Sequence, residues 1–302
     1  LEEKTMQFMK RLFLVMVTNI LVMLTIGVLM YFLMQYFPAL QAYGYGQLMI
    51  IAVVWGFGGA IVSLMLSRVM AKWMGGMRII KPATAQGDER WLVQTVHRLA
   101  EKAGITTMPE VGIWDSPEIN AFCTGPSKNS SLVAVSTGIL RHMNKDELEG
   151  VLAHEISHAG NGDMVTMTLI QGVVNSFVIF FSFVIARILM KRGDNDSGGG
   201  LAEFMVRQVL QIVLSLVAYV AVIAPFSRWR EYRADAGGAQ LAGRQKMIAA
   251  LQALLDSQRI PQPASDPAMA TMMIRSSAKE LFSTHPRLED RIARLRQSQM
   301  MG

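Results

Sequence analysis

From Leu12 to Ser67 the chain has no Asp, Glu, Lys or Arg. Such a run excludes a water-facing surface and is long enough for two crossings of a ~30 Å hydrocarbon core. Charge is scarce throughout, 17% of residues against 51% apolar, which argues against a soluble globule and for a membrane protein. Cysteine is nearly absent: with Cys123 alone, no intramolecular disulfide can form, and a reducing compartment is compatible. Aromatics interleaved with the basic residues, as a nucleic-acid reader would need, are missing, so no nucleic-acid partner is expected. Internal repeats are missing as well. The net charge of +6 therefore reads as membrane topology.

Two spans are expected at Leu12–Met34 and Gln47–Ser67, with Pro38, Gly44 and Gly46 in the connecting turn. The stretch is too long for a signal peptide and has no evident cleavage site, so it is expected to stay attached. Lys10 and Arg11 precede the pair and Arg68, Lys72, Arg78 and Lys81 follow it, which places both ends of the hairpin in the cytoplasm. Two more charge-free stretches, Met164–Ala186 and Gln208–Ser227, have the length of further spans. Arg228, Arg230 and Arg233 mark the last exit as cytoplasmic. The connecting segment 187–207 fits this scheme poorly, because Arg187, Lys191, Arg192 and Arg207 share it with only three acids. Its glycines suggest a flexible linker.

Against this background, His154-Glu155-Ile156-Ser157-His158 stands out. Histidines four apart share one face of a helix, one turn apart, and can reach a single metal ion. The glutamate between them can address a water on that metal, the arrangement that zinc-dependent peptidases use. The helix is well signalled. Asn144 and Glu147 form a capping box, Asp146 suits the helix dipole, and Gly160 offers a stop before the Asn161-Gly162 turn. Leu148, Val151, Leu152 and Ile156 would dock it on a core.

The block before this helix reads as soluble. A helix is expected over Glu89–Ala103, with His97 off its apolar stripe and solvated. Strand-like runs follow at Glu110–Trp114, Ile119–Cys123 and Leu132–Val135, punctuated by Asp115-Ser116-Pro117 and by Gly125 to Asn129. After the last span, 228–256 reads as one helix with Ala236, Leu241, Met247, Ile248, Leu251 and Leu254 as candidate buried positions. The proline-rich Gln258–Ala270 reads as a loop, and a final helix starts near His285 with Pro286 as its first residue.

A catalytic zinc normally takes three protein ligands and keeps a fourth position for water. His142 lies too close to the start of the zinc helix to return to its far end. Glu231 and Asp235, four residues apart, could present a carboxylate to the metal and a second one to a ligand imidazole. The alternative is an exposed acid pair balanced by Arg230 and Arg233.

The zinc motif, then Asn161-Gly162-Asp163-Met164, a pair of spans and Glu231-x-x-x-Asp235, resembles the HtpX-type integral-membrane zinc metalloproteases, relatives of the CAAX prenyl endopeptidases. Asn120-Ala121-Phe122, Val133 to Gly138, Gly172-Val173-Val174-Asn175 and Thr284-His285-Pro286 extend the resemblance over nearly the whole chain. It implies one Zn2+ per chain on His154, His158 and Glu231, with Glu155 as catalytic base and Asp235 steadying a ligand histidine. It implies that Asn120, Ala121 and Phe122 form an edge strand to which an extended polypeptide substrate adds, in line with strand addition generally. His285 could support the oxyanion, or simply cap the last helix. The fold expected is an α-helical membrane protein with about four transmembrane helices and a cytoplasmic α+β, zincin-like (gluzincin) catalytic domain. Its divisions would be 1–82, 83–163, 164–227 and 228–302. The expected setting is a bacterial inner membrane, multi-pass, with the active site facing the cytoplasm, and the expected substrates are damaged or misfolded membrane proteins. Two other readings exist. A prenyl-protein processing peptidase would need a large intramembrane chamber, for which four spans are few. A non-catalytic membrane scaffold would carry a structural site with four protein ligands.

Overall fold

The computed structural model describes residues 44–74, 76–190, 200–257 and 285–297. The expected first span Leu12–Met34, Pro38, the loop 258–270 and Ser283-Thr284 lie outside them. The chain divides into two compact units, Leu1–Ser63 with Met167–Ile223 and Leu64–Thr166 with Ala224–Gly302.

In chain order the described elements begin with helix α1 (Gly44–Met74), strand β1 (Arg78–Ile79), helix α2 (Gly87–Lys102) and strands β2 (Glu110–Trp114), β3 (Ala121–Ser127) and β4 (Ser130–Ser136). Helices α3 (Thr137–His142), α4 (Lys145–Asn161), α5 (Asp163–Met190) and α6 (Gly200–Ala218) follow. A π-helical turn at Tyr219–Ile223 then leads into α7 (Ala224–Ala242), α8 (Arg244–Ser257) and α9 (Leu288–Gln297). Gly44 and Gly46 open α1 rather than forming a turn, and α1 runs past Ser67 to Met74. One helix was expected over 228–256; the chain instead breaks at Gly243, whose φ of 99° suits glycine alone.

Three helices among the described residues are long and apolar enough to cross a membrane: Leu48–Trp73, Asp163–Ala186 and the 42-residue run Leu201–Ala242. The last has more residues than one crossing needs. Its charge-free part ends at Ser227, and Glu231 and Asp235 lie beyond it. Met65, Val209, Ile212 and Val217 are each about 60% exposed, a surface that water would not tolerate and lipid would. In the unit holding most of these helices, α1 and α5 approach closely at small residues. A Cβ on Gly56 would collide with Ser176 and the Gly172 carbonyl, and one on Gly172 with the Phe57 ring. Arg207 lies inside α6 rather than in a linker, its guanidinium 4.3 Å from the Phe183 ring centre and 5.4 Å from that of Phe204.

The other unit is built around α4. Its sheet has the order β1-β2-β4-β3, with β2 and β4 parallel and the outer pairs antiparallel, so β3 is an edge strand. Side chains alternate across it as a two-faced sheet requires. Ala121, Val133 and Val135 join Leu152, Ile156, Leu99 and Leu251 in the main core. Phe122, Leu132, Ala134 and Trp114 meet Ala71 in a smaller one on the opposite face. α4 lies between the sheet, α2, α7 and α8. Leu148, Val151, Leu152 and Ile156 are buried as expected.

β2 matches its expected bounds. β3 begins two residues later than expected and continues through Gly125-Pro126-Ser127, which had read as a turn. The register shifts between Thr124 and Ser127, and Gly125 has a φ of 152°, so the breaker residues make a bulge instead of ending the strand. The helix stop also differs. α4 continues through Gly160 to Asn161, and Gly162 caps it in the left-handed region at φ 69°. The capping box of Asn144 and Glu147 is present as expected. His97 is half-buried, 3.3 Å from the Pro109 carbonyl, rather than solvated. Ala236 is exposed, whereas Ala234 and Gly238 turn inward.

Candidate metal centre

α4 presents His154 and His158 one turn apart at its buried end. α7, crossing beside it, presents Glu231 and Asp235 on its own buried face. The two helices come this close because α7 has glycines where they touch. A Cβ on Gly237 would fall on the Ser157 hydroxyl, and one on Gly238 would lie 2.8 Å from Met247 Sδ and 3.1 Å from the His154 nitrogen. These paired glycines escaped sequence reading, though adjacent glycines inside a helix are themselves a signal of close approach.

The two imidazoles turn their Nε2 atoms toward each other, 3.1 Å apart. Glu231 reaches both, with Oε2 3.3 Å from His154 Nε2 and Oε1 3.3 Å from His158 Nε2. Tetrahedral ligands ~2.0–2.1 Å from a zinc ion would stand about 3.3–3.4 Å apart, so the spacing fits such an ion without rearrangement. Among the described residues, His154, His158 and Glu231 are the group of donors that could hold a metal. Three ligands leave a coordination position for water.

Behind these atoms lies a layer of charge. His154 Nδ1 is 3.0 Å from Asp235 Oδ1, and His158 Nδ1 is 2.6 Å from Asp163 Oδ2. Burial would lower the pKa of His154, but hydrogen bonds to Asp235 and Glu231 outweigh it and raise the pKa to about 9. Burial likewise opposes a charge on His158, and Asp163 and Glu231 again prevail, so its pKa is raised.

Arg291, from α9, was not anticipated. Its side chain is 1% exposed, and it donates to Asp235 through Nε at 2.7 Å and Nη2 at 2.6 Å. Nη1 lies 3.7 Å from Glu231. Burial works against its charge, but Asp235, Glu231 and Glu155 outweigh that and raise its pKa. Pro286 precedes α9 by two residues instead of opening it. His285 Nδ1 stands 2.8 Å from Glu231 Oε2, beside the third candidate ligand.

Glu155 is buried, and its Oε2 accepts a 2.9 Å hydrogen bond from the Cys123 N–H of β3. That N–H points away from β4, so by alternation the outward positions of this edge are Ala121 and Cys123. Asn120 lies just before the strand, exchanging hydrogen bonds with Ser136. The Phe122 ring turns to the far face and packs at 5.3 Å on Trp114.

A helix-borne His-Glu-x-x-His beside a helix-borne Glu, under the edge of a mixed sheet, is the architecture of a zincin-type metallopeptidase. The chain matches peptidase family M48 over residues 86–299 and belongs to that family. It is 48% identical over 289 residues to Protease HtpX of Idiomarina loihiensis, covering 96% of this chain and 99% of that protein. To Protease HtpX of Tolumonas auensis it is 47% identical over 299 residues, with 96% and 99% covered. The crystal structure of S. mikatae Ste24p shares the fold, with a TM-score of 0.59 at 19% identity, over 92% of this chain and 66% of that one. The chain is thus a membrane metalloprotease, a hydrolase with a metal cofactor, an α-helical fold and a small mixed sheet.

Proposed function

We propose that the protein is a zinc-dependent endopeptidase of a bacterial inner membrane, with its active site on the cytoplasmic side, that hydrolyses misfolded or damaged membrane proteins. The single observation that carries the chemistry is the triangle of His154, His158 and Glu231 at 3.1–3.3 Å. A bound zinc ion would supply Lewis acidity and a more acidic water. Glu155 is the residue that accepts a proton from the attacking water and returns it to the leaving amine. The segment Asn120, Ala121 and Phe122 takes the substrate as an added strand, with the backbone of Ala121 facing outward, and Cys123 extends this edge toward Glu155. Only backbone groups are needed, so the ring of Phe122 is free to serve the core. His285 acts from beside Glu231, steadying that carboxylate or the substrate oxyanion. The cytoplasmic placement is supported by the basic residues at 68–81 and 228–233.

The test is cleavage of casein and of an unstable membrane-protein reporter by protein purified in detergent, with and without a zinc chelator. Glu155→Gln should keep its zinc and lose cleavage by about 10²–10⁴-fold. Undiminished cleavage by that variant, or by protein stripped of metal, overturns the reading.

A further inference from the structure

The ligand histidines are not held alike, and the difference points to Asp163. We propose that Asp163, the first residue of α5, is a positioning residue that fixes the ring and tautomer of His158 for the metal; this rests on the zinc reading above.

The chain brings it there by a one-residue device. Gly162, at φ 69° and ψ 27°, ends α4 in the left-handed region, and α5 starts at the next residue. The reversal returns the side chain of Asp163 to the last turn of α4. There its Oδ2 meets His158 Nδ1 at 2.6 Å, with Asp163 3% exposed and His158 9%. A short contact between buried groups is a strong, charge-assisted hydrogen bond. With Nδ1–H donated to the carboxylate, the lone pair of His158 lies on Nε2, the atom that faces His154 and Glu231. The N-terminal end of α5 also favours a negative charge at that residue.

Asp235 does the corresponding work for His154 under different terms. Its carboxylate is shared with the Arg291 guanidinium, which draws on both oxygens. Among the described residues, Asp163 has His158 as its ion-pair partner and no cation beside it. Its full charge is therefore directed at one ring, and losing it should be felt at the metal more than at the fold.

The experiment measures zinc affinity of the full-length protein in detergent by chelator competition, together with the visible spectrum of the cobalt-loaded form. Asp163→Ala and Asp163→Ser should each weaken zinc binding about 10–100-fold, and Asp163→Asn less, since its carbonyl can still accept from Nδ1–H. Serine is a good residue for starting a helix but too short to reach the ring. If Asp163 only starts α5, the serine variant restores affinity and the proposal fails. It fails equally if both variants bind zinc within threefold of wild type with an unchanged cobalt spectrum. If wild type itself binds no zinc, or if His154→Ala binds it as well as wild type does, the metal reading falls, a result distinct from a failure at Asp163. The asparagine and serine variants keep the test decisive if alanine does not fold.

Discussion

Replacing Arg291 by methionine removes one charge from a buried ion pair beside the site and leaves its partner in place. Arg291 is 1% exposed and the Asp235 side chain 3%, and two hydrogen bonds of 2.6 and 2.7 Å join them. Methionine roughly conserves the volume, so the cavity contribution is small. What dominates is a carboxylate stranded away from water, with His154 as its remaining partner. Breaking a buried pair in this way costs about 3–5 kcal/mol. For a unit of this size each kcal/mol moves the midpoint by about 2–4 °C, so the loss should be roughly 6–20 °C. Asp235→Asn leaves the guanidinium with the more distant Glu231, 3.7 Å from Nη1, and should cost somewhat less. The double variant strands neither charge, and should lose about 2–3 kcal/mol less than the sum of the singles. Thermal unfolding of the four proteins in detergent, with zinc chelated throughout, gives the cycle. Singles that add to within ~0.5 kcal/mol, or an Arg291→Met midpoint within ~2 °C of wild type, would refute the reasoning.

The remaining predictions concern packing and pH. Gly238→Leu forces α7 away from α4, because a Cβ already sits 3.1 Å from the His154 nitrogen and 2.8 Å from Met247 Sδ. It should cost at least ~1–3 kcal/mol and weaken zinc binding, and a variant with wild-type zinc content and midpoint would show that the approach is unimportant. Glu149 joins three helices, accepting from Arg98 of α2 and Lys246 of α8, both at 2.9 Å. Burial would raise its pKa, but Lys246 and Arg98 outweigh that and hold it below the ordinary value. A depressed folded pKa gives stability that is present above the unfolded pKa of ~4.3 and lost as pH falls through the folded one. Glu149→Gln should thus lose roughly 1 kcal/mol at pH 7, discounted because both cations are partly exposed, and nothing at strongly acid pH. Unfolding curves for both proteins from pH 3 to 8 check this, and a gap that widens on acidification would contradict it.

The residues that were legible in the sequence are those whose signal is local. His154, Glu155 and His158 declare themselves by helical spacing, and Asn144 with Glu147 marks where their helix starts, because both depend only on neighbours along the chain. Glu231 and Asp235 needed one further step, the same spacing on a second helix. β3 was misjudged where local and tertiary rules conflict. Gly125-Pro126 is strong turn chemistry, but on an edge strand a proline gives up no needed donor, and the bulge absorbs it. The α4 stop was placed two residues early because Gly160 and Gly162 are equally good by composition. Only the packing of Gly160 near Ala103 and the left-handed φ of Gly162 separate them.

Arg291 and Asp163 were missed for a reason that applies to buried charge in general. Pattern reading assigns charged residues to solvent, and that is right unless a partner waits inside. The partner of Arg291 lies 56 residues away in sequence, on a different helix, so nothing near it in the chain reveals the pairing. One trace was available: Leu288, Ile292 and Leu295 form the buried stripe of α9, and Arg291 falls in the middle of it. A cation at the centre of an apolar face either breaks the helix's docking or meets a buried anion, and Asp235 was already a candidate for one. Asp163 left a fainter trace: Asn161-Gly162 reads as a turn, and Asp163 enters only within the Asn161-Gly162-Asp163-Met164 resemblance, with no role attached. Its distinguishing property is its position directly after a tight reversal that follows the second histidine, from which a short side chain reaches back to that ring. Supporting charges of a metal centre are therefore best sought where a charged residue violates the burial pattern or directly follows a helix stop, rather than by extending the ligand motif.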